Sequence, residues 1–169
     1  NTVGPNMNIN QASQRAIVDW QTFNIGAQNA LTVNQPNSTS AMLSRVNGVD
    51  PSVILGILQA NGIFYLVNPN GVIFGEGAQV DVGSLLASTL NLSNQNFMAG
   101  QNTFEGDSQA AVVNRAQINA DNMVAFIAQN IVNSGEVHSQ QAAMAAASGR
   151  VELGYAHGGG ISVDISGLE

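Results

Sequence analysis

The stretch that decides the fold of this chain is NGIFYLVNPNGVIFG, residues 61–75. An apolar, β-rich run stops at Asn68-Pro69-Asn70-Gly71, and a second apolar run follows at once. Pro69 fixes its φ and lacks an N–H, while Asn70 and Gly71 tolerate positive φ. The stretch therefore predicts a strand, a tight corner and a second strand, as in a chain that winds instead of folding back.

An internal repeat supports a winding chain. The sequence VNRAQINA at residues 113–120 aligns with VNSGEVHS at residues 132–139, and MVAFIA at 123–128 aligns with AAMAAA at 142–147. Both alignments have an offset of 19 residues. A period near 20 residues is typical of a solenoid of stacked coils, and the spaced leucines of leucine-rich repeats are absent. The repeat predicts an all-β fold, a parallel β-helix of roughly eight coils with ~20 residues each.

Three segments depart from simple coils. Residues 50–55 predict a helical turn, because Asp50 can cap it and Pro51 suits its first position, and residues 93–98 predict a weaker one. The polar stretch 93–109 predicts a loop or hairpin that projects from the solenoid.

The remaining predictions concern strands and the core. Residues 142–147 should be a strand despite their alanines, and residues 161–165 alternate as a last strand. The side chains expected to face the core are Val72, Val80, Val82, Leu85, Val113, Ile118, Val124, Phe126, Val132 and Val137.

Composition excludes several functions. The net charge is −7, with no lysine and four arginines, so no basic patch is available for nucleic acid. The absence of cysteine removes disulfides and thiolate chemistry. The histidines, His138 and His157, have no nearby carboxylate cluster, so we expect no metal site and no cofactor. Asp81, Glu105 and Asp107 are the carboxylates that an enzyme could use, but no cationic lysine accompanies them, and we expect no enzyme.

Four blocks resemble a known family. They are RAIVDWQTFNIG at residues 15–26, SRVNG at 44–48 followed by DPS at 50–52, VNPNGVIFG at 67–75, and GSLLASTL at 83–90. In this order they resemble the N-terminal two-partner-secretion (TPS) domain of filamentous-haemagglutinin-like exoproteins and adhesins. The resemblance covers nearly the whole chain and implies a right-handed parallel β-helix, with residues 1–169 as a single domain. Family members usually have residues ahead of this start, so the N-terminal cap is expected to be incomplete.

The resemblance also implies a role. The domain would lead a large adhesin through the periplasm of a Gram-negative bacterium to the cell surface or the medium. Its partner would be an outer-membrane transporter of the Omp85/TpsB type, through the periplasmic POTRA modules. The site residues would be Asn68, Pro69, Asn70 and Gly71, as a transporter contact or as a structural turn. A second site is the related segment with Pro36 and Asn37, which keeps Pro-Asn but not its flanks.

Two alternatives stay open from the residues. The domain could present an adhesin surface that binds a glycan or a host protein. It could also be a polysaccharide-active β-helix enzyme, which would need a cleft shared by carboxylates. The block Asn68–Gly71 favours an obligatory corner over direct transporter contact, because Pro69 and Gly71 shape the backbone and offer little for recognition.

Overall fold

The computed structural model describes residues 6–155 and 160–166. The chain winds into a parallel β-solenoid of about six turns, which confirms the predicted fold class. No described helix is long and apolar enough to cross a membrane. In chain order the elements are β1 (Asn6–Asn10), β2 (Arg15–Trp20), β3 (Ala30–Asn34), β4 (Ala41–Val46), β5 (Ser52–Ile54), β6 (Ile57–Val67), β7 (Val72–Phe74), β8 (Gln79–Ser88), β9 (Asn91–Leu92), α1 (Asn94–Met98), β10 (Asn102–Gly106), β11 (Ala111–Asn114), β12 (Gln117–Ala128), β13 (Asn130–Asn133), β14 (Glu136–His138), β15 (Gln141–Ala146), β16 (Gly149–Tyr155) and β17 (Ile161–Ser166).

The solenoid has three faces. The first face stacks β1, β3, β14 and the beginnings of the long strands β6, β8 and β12. The second face stacks β2, β4, β15 and the ends of the same long strands. The third face is the parallel sheet of β5, β7, β11 and β13. The register shifts between Ala60 and Ile63, and again between Ala120 and Met123, because the chain bends there from the first face to the second.

The interior of the solenoid is a stacked apolar core. Phe64, Phe74 and Phe126 are fully buried, and the rings of Phe74 and Phe126 stack with centroids 6.3 Å apart. Toward the first turn, Trp20 meets Phe23 edge-on at 5.3 Å. Burying each large apolar side chain contributes roughly 1.5–3 kcal/mol, so this continuous stack is the main source of stability.

The second face is also buried on its outer side. Residues between β8 and β11 leave the solenoid, form β9, α1 and β10, and join β16 and β17 in an antiparallel sheet. Leu92, Phe97 and Phe104 of this cover are fully buried against outward side chains of the second face, such as Leu43 and Leu86. The stretch 93–109 thus leaves the coils, as predicted, but it packs back on them instead of projecting. The helix at 93–98 is confirmed, with Ser93 as its N-cap.

The number of coils is lower than predicted. The cover and the last two strands use residues that a simple period assigns to coils, so about six turns form instead of eight. Residues 161–165 do form a strand, but it pairs antiparallel with β16 outside the coils. The strand at 142–147 is confirmed by β15.

Two local predictions were wrong. Residues 50–55 contain the strand β5 instead of a helical turn, because Ser52 N donates to Gly71 O at 3.0 Å and β5 pairs with β7. The offset of 19 residues is confirmed for Val113 and Val132, but it falls to 18 in the second half, where Val124 pairs with Ala142. The corner before β15 is one residue shorter than the corner inside β12.

The core prediction holds for most positions and fails on the third face. Val72, Val80, Val82, Leu85, Ile118, Val124 and Phe126 are buried, and Val137 is partly buried against the core. Val113 is only half-buried and Val132 is 50% exposed, while Val112 is fully buried instead. The strands β11 and β13 are apolar on both sides, so alternation could not tell which side faces inward.

Candidate functional site

The block Asn68–Gly71 is the corner between β6 on the second face and β7 on the third. Gly71 N donates to Asn68 O at 3.1 Å, which closes a tight turn. Gly71 has a φ of +119°, a region that favours glycine, and Ala111 O lies 3.4 Å from where a Cβ would stand. The turn predicted from the sequence is therefore present, with glycine at the position that needs it.

Asn68 points inward and is fully buried. Its Nδ2 donates to Asp50 O and to Ser52 Oγ, both at 3.0 Å, and its Oδ1 accepts from Asn70 N at 2.9 Å. Its backbone N–H donates to Ser88 O at 2.9 Å. Since buried amides must be paired, this side chain holds the preceding turn of the solenoid, while its backbone holds the following one.

The neighbouring residues extend the same connection. Asn70 Nδ2 donates to Gly48 O at 2.8 Å and to Asn68 Oδ1 at 3.2 Å. On the other side, Ser108 Oγ donates to Pro69 O at 2.6 Å. The turn is thus bonded to the corner before it and to the returning end of the cover after it. Pro69 is exposed and Asn70 is half-exposed, so the outer rim of the turn faces solvent.

The second predicted segment lies at a different corner. Pro36 and Asn37 are exposed between β3 and β4, where the first face meets the second. Asn37 Oδ1 accepts from Thr39 N at 3.0 Å, and Asn37 Nδ2 donates to Gln14 Oε1 at 3.0 Å. The structure therefore places the two Pro-Asn segments at opposite ends of the second face and does not bring them together. The contacts of Asn37 are surface contacts, unlike the buried contacts of Asn68.

Sequence reasoning missed two arginines that hold the cover. Arg45 is 15% exposed and donates to Asn91 Oδ1, Asn94 Oδ1 and Asp19 Oδ1 at 2.8–3.3 Å. Arg15 Nε donates to Phe97 O at 2.7 Å, and its guanidinium lies 4.4 Å from the centroid of the Phe97 ring. Two of four arginines therefore bind one short segment, and their rarity was the signal that could have drawn attention to them.

A buried glutamine also escaped the sequence analysis. Gln35 lies at the corner between the first and second faces, where its Oε1 accepts from Gly62 N at 2.8 Å. Its Nε2 donates to Gln11 Oε1 and to Ser40 O, both at 3.2 Å. A Cβ on Gly62 would stand 2.5 Å from Ser40 O, so glycine is required there. This corner is held by amide side chains in the same way as the Asn68 corner.

The carboxylates do not form a shared cleft in the described part of the chain. Glu105 lies 3.9 Å from the Arg150 guanidinium on the cover, and Asp81 accepts from Asn119 Nδ2 at 3.1 Å on the first face. The His138 ring lies 3.2 Å from Glu136 at the surface, and His157 lies outside the described residues. Among the described residues, no group of three or more His, Cys, Asp or Glu side chains could hold a metal ion.

These features define the protein as a parallel β-solenoid with one covered face, in which Asn-Pro-Asn-Gly forms a buried corner. The chain matches the TPS secretion domain family over residues 1–166 and belongs to that family. It is 28% identical to the HMW1 secretion domain from Haemophilus influenzae, whose crystal structure superposes with a TM-score of 0.79. That match covers 90% of this chain and 42% of the other chain.

The chain is also similar to two curated proteins of Haemophilus influenzae. The chain is 34% identical over 145 residues to a heme/hemopexin-binding protein of Haemophilus influenzae, covering 80% of this chain and 16% of the relative. It is 44% identical over 91 residues to a second Haemophilus influenzae protein of that name, covering 54% of this chain and 10% of the relative. The chain thus spans a small part of the length of these relatives. The family's domain is the secretion and targeting module of exported adhesin-like proteins, and partner TpsB transporters recognise such domains in general.

Proposed function

We propose that this domain, residues 1–169, is bound in the periplasm by the POTRA modules of its own Omp85/TpsB-type partner, which exports the protein to which it belongs. The destination is the surface or the surroundings of a Gram-negative cell. The domain acts by binding and folding, without catalysis, metal or cofactor. The exported protein is an adhesin. Its binding to a ligand on a host surface is a different interaction from the binding of this domain to the transporter.

The observation that carries this proposal is the corner at Asn68–Gly71. Asn68 is fully buried and bonded to the turn before it and the turn after it, so the corner is rigid. The outer rim, with Pro69 and the edge of Asn70, is accessible. A rigid backbone with an accessible rim is preorganised for binding, because little conformational entropy is lost when a partner binds. Asn68 thus supports the recognition surface from inside, while Pro69 and the edge of Asn70 lie on it.

Export with the partner transporter tests the proposal. In cells that carry the transporter, Asn68→Ala should lower the secreted amount of the full exoprotein, and the purified variant domain should also unfold at a lower temperature. Asn34→Ala is the matched control, since it removes an exposed amide contact to Asn10 on the first face. Failure of the wild-type domain to bind the transporter's periplasmic modules would refute the proposal. Unchanged secretion of Asn68→Ala would remove the corner from the mechanism.

A second candidate function, glycan binding, is favoured by one groove. It lies between the cover and the corner of the first and second faces and has a volume of about 360 Å³. Its walls include Arg15, Thr39, Ser84, Asn122 and Gln140, which offer hydrogen bonds suited to sugar hydroxyls. A glycan array probed with the isolated domain tests this candidate. Loss of any signal in Asn122→Ala would locate it in the groove, and a blank array would exclude it.

A further inference from the structure

The outer side of the third face carries a row of aliphatic side chains. Val53, Ile73, Val113 and Val132 are paired neighbours in register across β5, β7, β11 and β13. We name these four residues the aliphatic ladder. They alternate with inward residues such as Ile54, Val72 and Val112, which are fully buried. The ladder therefore points away from the core.

In the described part of the chain, neither of the two hydrophobic clusters contains any member of this ladder. Val132 is 50% exposed, and Val53, Ile73 and Val113 are half-buried. Strands that are apolar on both sides are typical of sheets with both sides covered. The second face follows that rule, because α1 and the antiparallel sheet cover it. The third face has the same kind of strands, but in the described part of the chain α1 and the antiparallel sheet share no hydrophobic cluster with its outer side.

The ladder also differs from the first face. The outward row of the first face is polar, with Thr32, Gln59, Asp81 and Asn119 in register across neighbouring strands. These side chains bond one another, as Asn119 does with Asp81 at 3.1 Å. Polar residues thus fill this outward row, although Ile57 on the same face is also exposed. The ladder differs from this pattern, because its four outward residues are all β-branched and aliphatic. Contact with water does not account for apolar side chains at these positions.

The size of the ladder limits the kind of partner. Four strands ~4.8 Å apart and about three residues long give an area on the order of 150 Å². A stable interface buries roughly 800 Å² on each partner, so the ladder alone cannot hold a second copy firmly. Extension over the neighbouring corner, where Val49 is 84% exposed, enlarges the surface but leaves it small. A small apolar surface fits a partner that binds briefly and then releases.

The ladder is continuous with the Asn68 corner. Ile73 follows Gly71 by two residues, and Ser52, next to Val53, accepts from Asn68 Nδ2 at 3.0 Å. Asn68 and Asn70 also bond the carbonyls of Asp50 and Gly48, on both sides of Val49. We propose that the aliphatic ladder, with Val49 at its edge, is the surface that docks transiently on an apolar surface of the transporter's periplasmic modules. This assignment rests on the proposed function and names the contact surface for it.

Substitutions by threonine test the ladder. The triple variant Val53→Thr, Ile73→Thr and Val113→Thr keeps β-branched side chains in place while making the surface polar. Val163→Thr with Ile165→Thr is the matched control, because both side chains are exposed on β17. Binding of each purified domain to the periplasmic region of the partner transporter is measured by biolayer interferometry. Secretion, thermal unfolding and sedimentation are measured on the same variants.

We expect at least tenfold weaker binding and a matching loss of secretion in the triple variant, which should still unfold in one cooperative transition well above the temperature of the binding assay. The control should bind within twofold of the wild type. Triple-variant binding within twofold of wild type would overturn the assignment while leaving the proposed function intact, since the wild type would still bind. A wild-type dimer that becomes monomeric in the triple variant would assign the ladder to a second copy and would also overturn it.

Discussion

The second and third faces of the solenoid are made of similar strands and have different surroundings. Both contain strands with apolar side chains on their inner and outer sides. On the second face, Phe97 and Phe104 of the cover pack in one cluster with outer side chains that are fully buried, such as Leu43 and Leu86. On the third face, the outer ladder stays half-buried or exposed. The comparison shows that an apolar run in the sequence predicts that both sides of a strand are suited to burial. It does not predict which part of the molecule packs against each side.

The largest expected effect concerns the cover of the second face. Phe97→Ala removes a fully buried ring that meets Tyr65 edge-on at 5.3 Å and lies under the Arg15 guanidinium. We expect a loss of about 3–5 kcal/mol in the free energy of unfolding, measured by urea titration. Met98→Ala is the control, because Met98 is mostly exposed and should cost less than about 0.5 kcal/mol. A loss below about 1 kcal/mol for Phe97→Ala would show that the cover is not packed as an integral layer.

The next effect concerns the corner that joins the two faces. Asn68→Ala leaves Asp50 O without its side-chain donor and exchanges a paired amide for a methyl group. Since each unsatisfied buried polar group costs about 1–3 kcal/mol, we expect a total loss of roughly 2–4 kcal/mol. Asn37→Ala removes an exposed side chain and should cost no more than ~0.5–1 kcal/mol in the same urea titration. Equal losses for both variants would contradict the distinction between the buried amide of Asn68 and the exposed amide of Asn37.

A smaller effect is expected where the cover is clamped to the solenoid. Arg45→Lys keeps the positive charge but loses the planar fork that reaches Asn91, Asn94 and Asp19 together. We expect a loss of about 1–2 kcal/mol, with faster hydrogen exchange in residues 91–98 than in the wild type. Arg115→Lys is the control, because Arg115 is exposed and forms no ion pair with the residues that the structure describes. It should change neither the free energy of unfolding nor the rate of hydrogen exchange. Unchanged exchange in Arg45→Lys would mean that packing alone holds the cover.

The smallest effect sharpens the contrast with the open face. Ile73→Thr replaces a half-buried side chain on the outer side of β7, which belongs to neither hydrophobic cluster of the described residues. We expect less than about 1 kcal/mol of lost stability by urea titration, against the much larger loss for Phe97→Ala. Phe74→Ala, the inward neighbour, supplies the internal reference because Phe74 is fully buried. A large loss in Ile73→Thr would show that the ladder is packed within the domain and is not an open surface.

Much of the backbone path could be predicted from short segments. Pro69 and Gly71 predict a corner, and the structure has a tight turn there with Gly71 at positive φ. Residues 93–98 predict a helical turn, and the structure has α1 there with the Ser93 side chain accepting from Asn96 N. These predictions worked because φ restriction and capping act within a few residues. The candidate site residues were located by the same local reasoning, although their role as contacts stays a prediction.

Other predictions failed because their cause lies in another turn of the solenoid. The helical turn at 50–55 was wrong because pairing with β7 and the amide of Asn68 outweigh the local preference of Asp50 and Pro51. The roles of Arg15, Arg45 and Gln35 were missed because their partners lie far away in sequence, as Phe97 does from Arg15. Such contacts leave no spacing pattern that a single sequence reveals.

The sequence by itself determined that this chain winds, where it turns and which side chains are apolar. Those properties follow from backbone sterics, from turn residues such as Gly71 and from the repeat that starts at Val113 and returns at Val132. Only the tertiary structure decided that these two valines point outward, that the last coil shifts its offset to 18, and that residues 91–106 cover the second face. The physical reason is that burial depends on what stacks against a strand, and that is fixed only when all the turns are assembled.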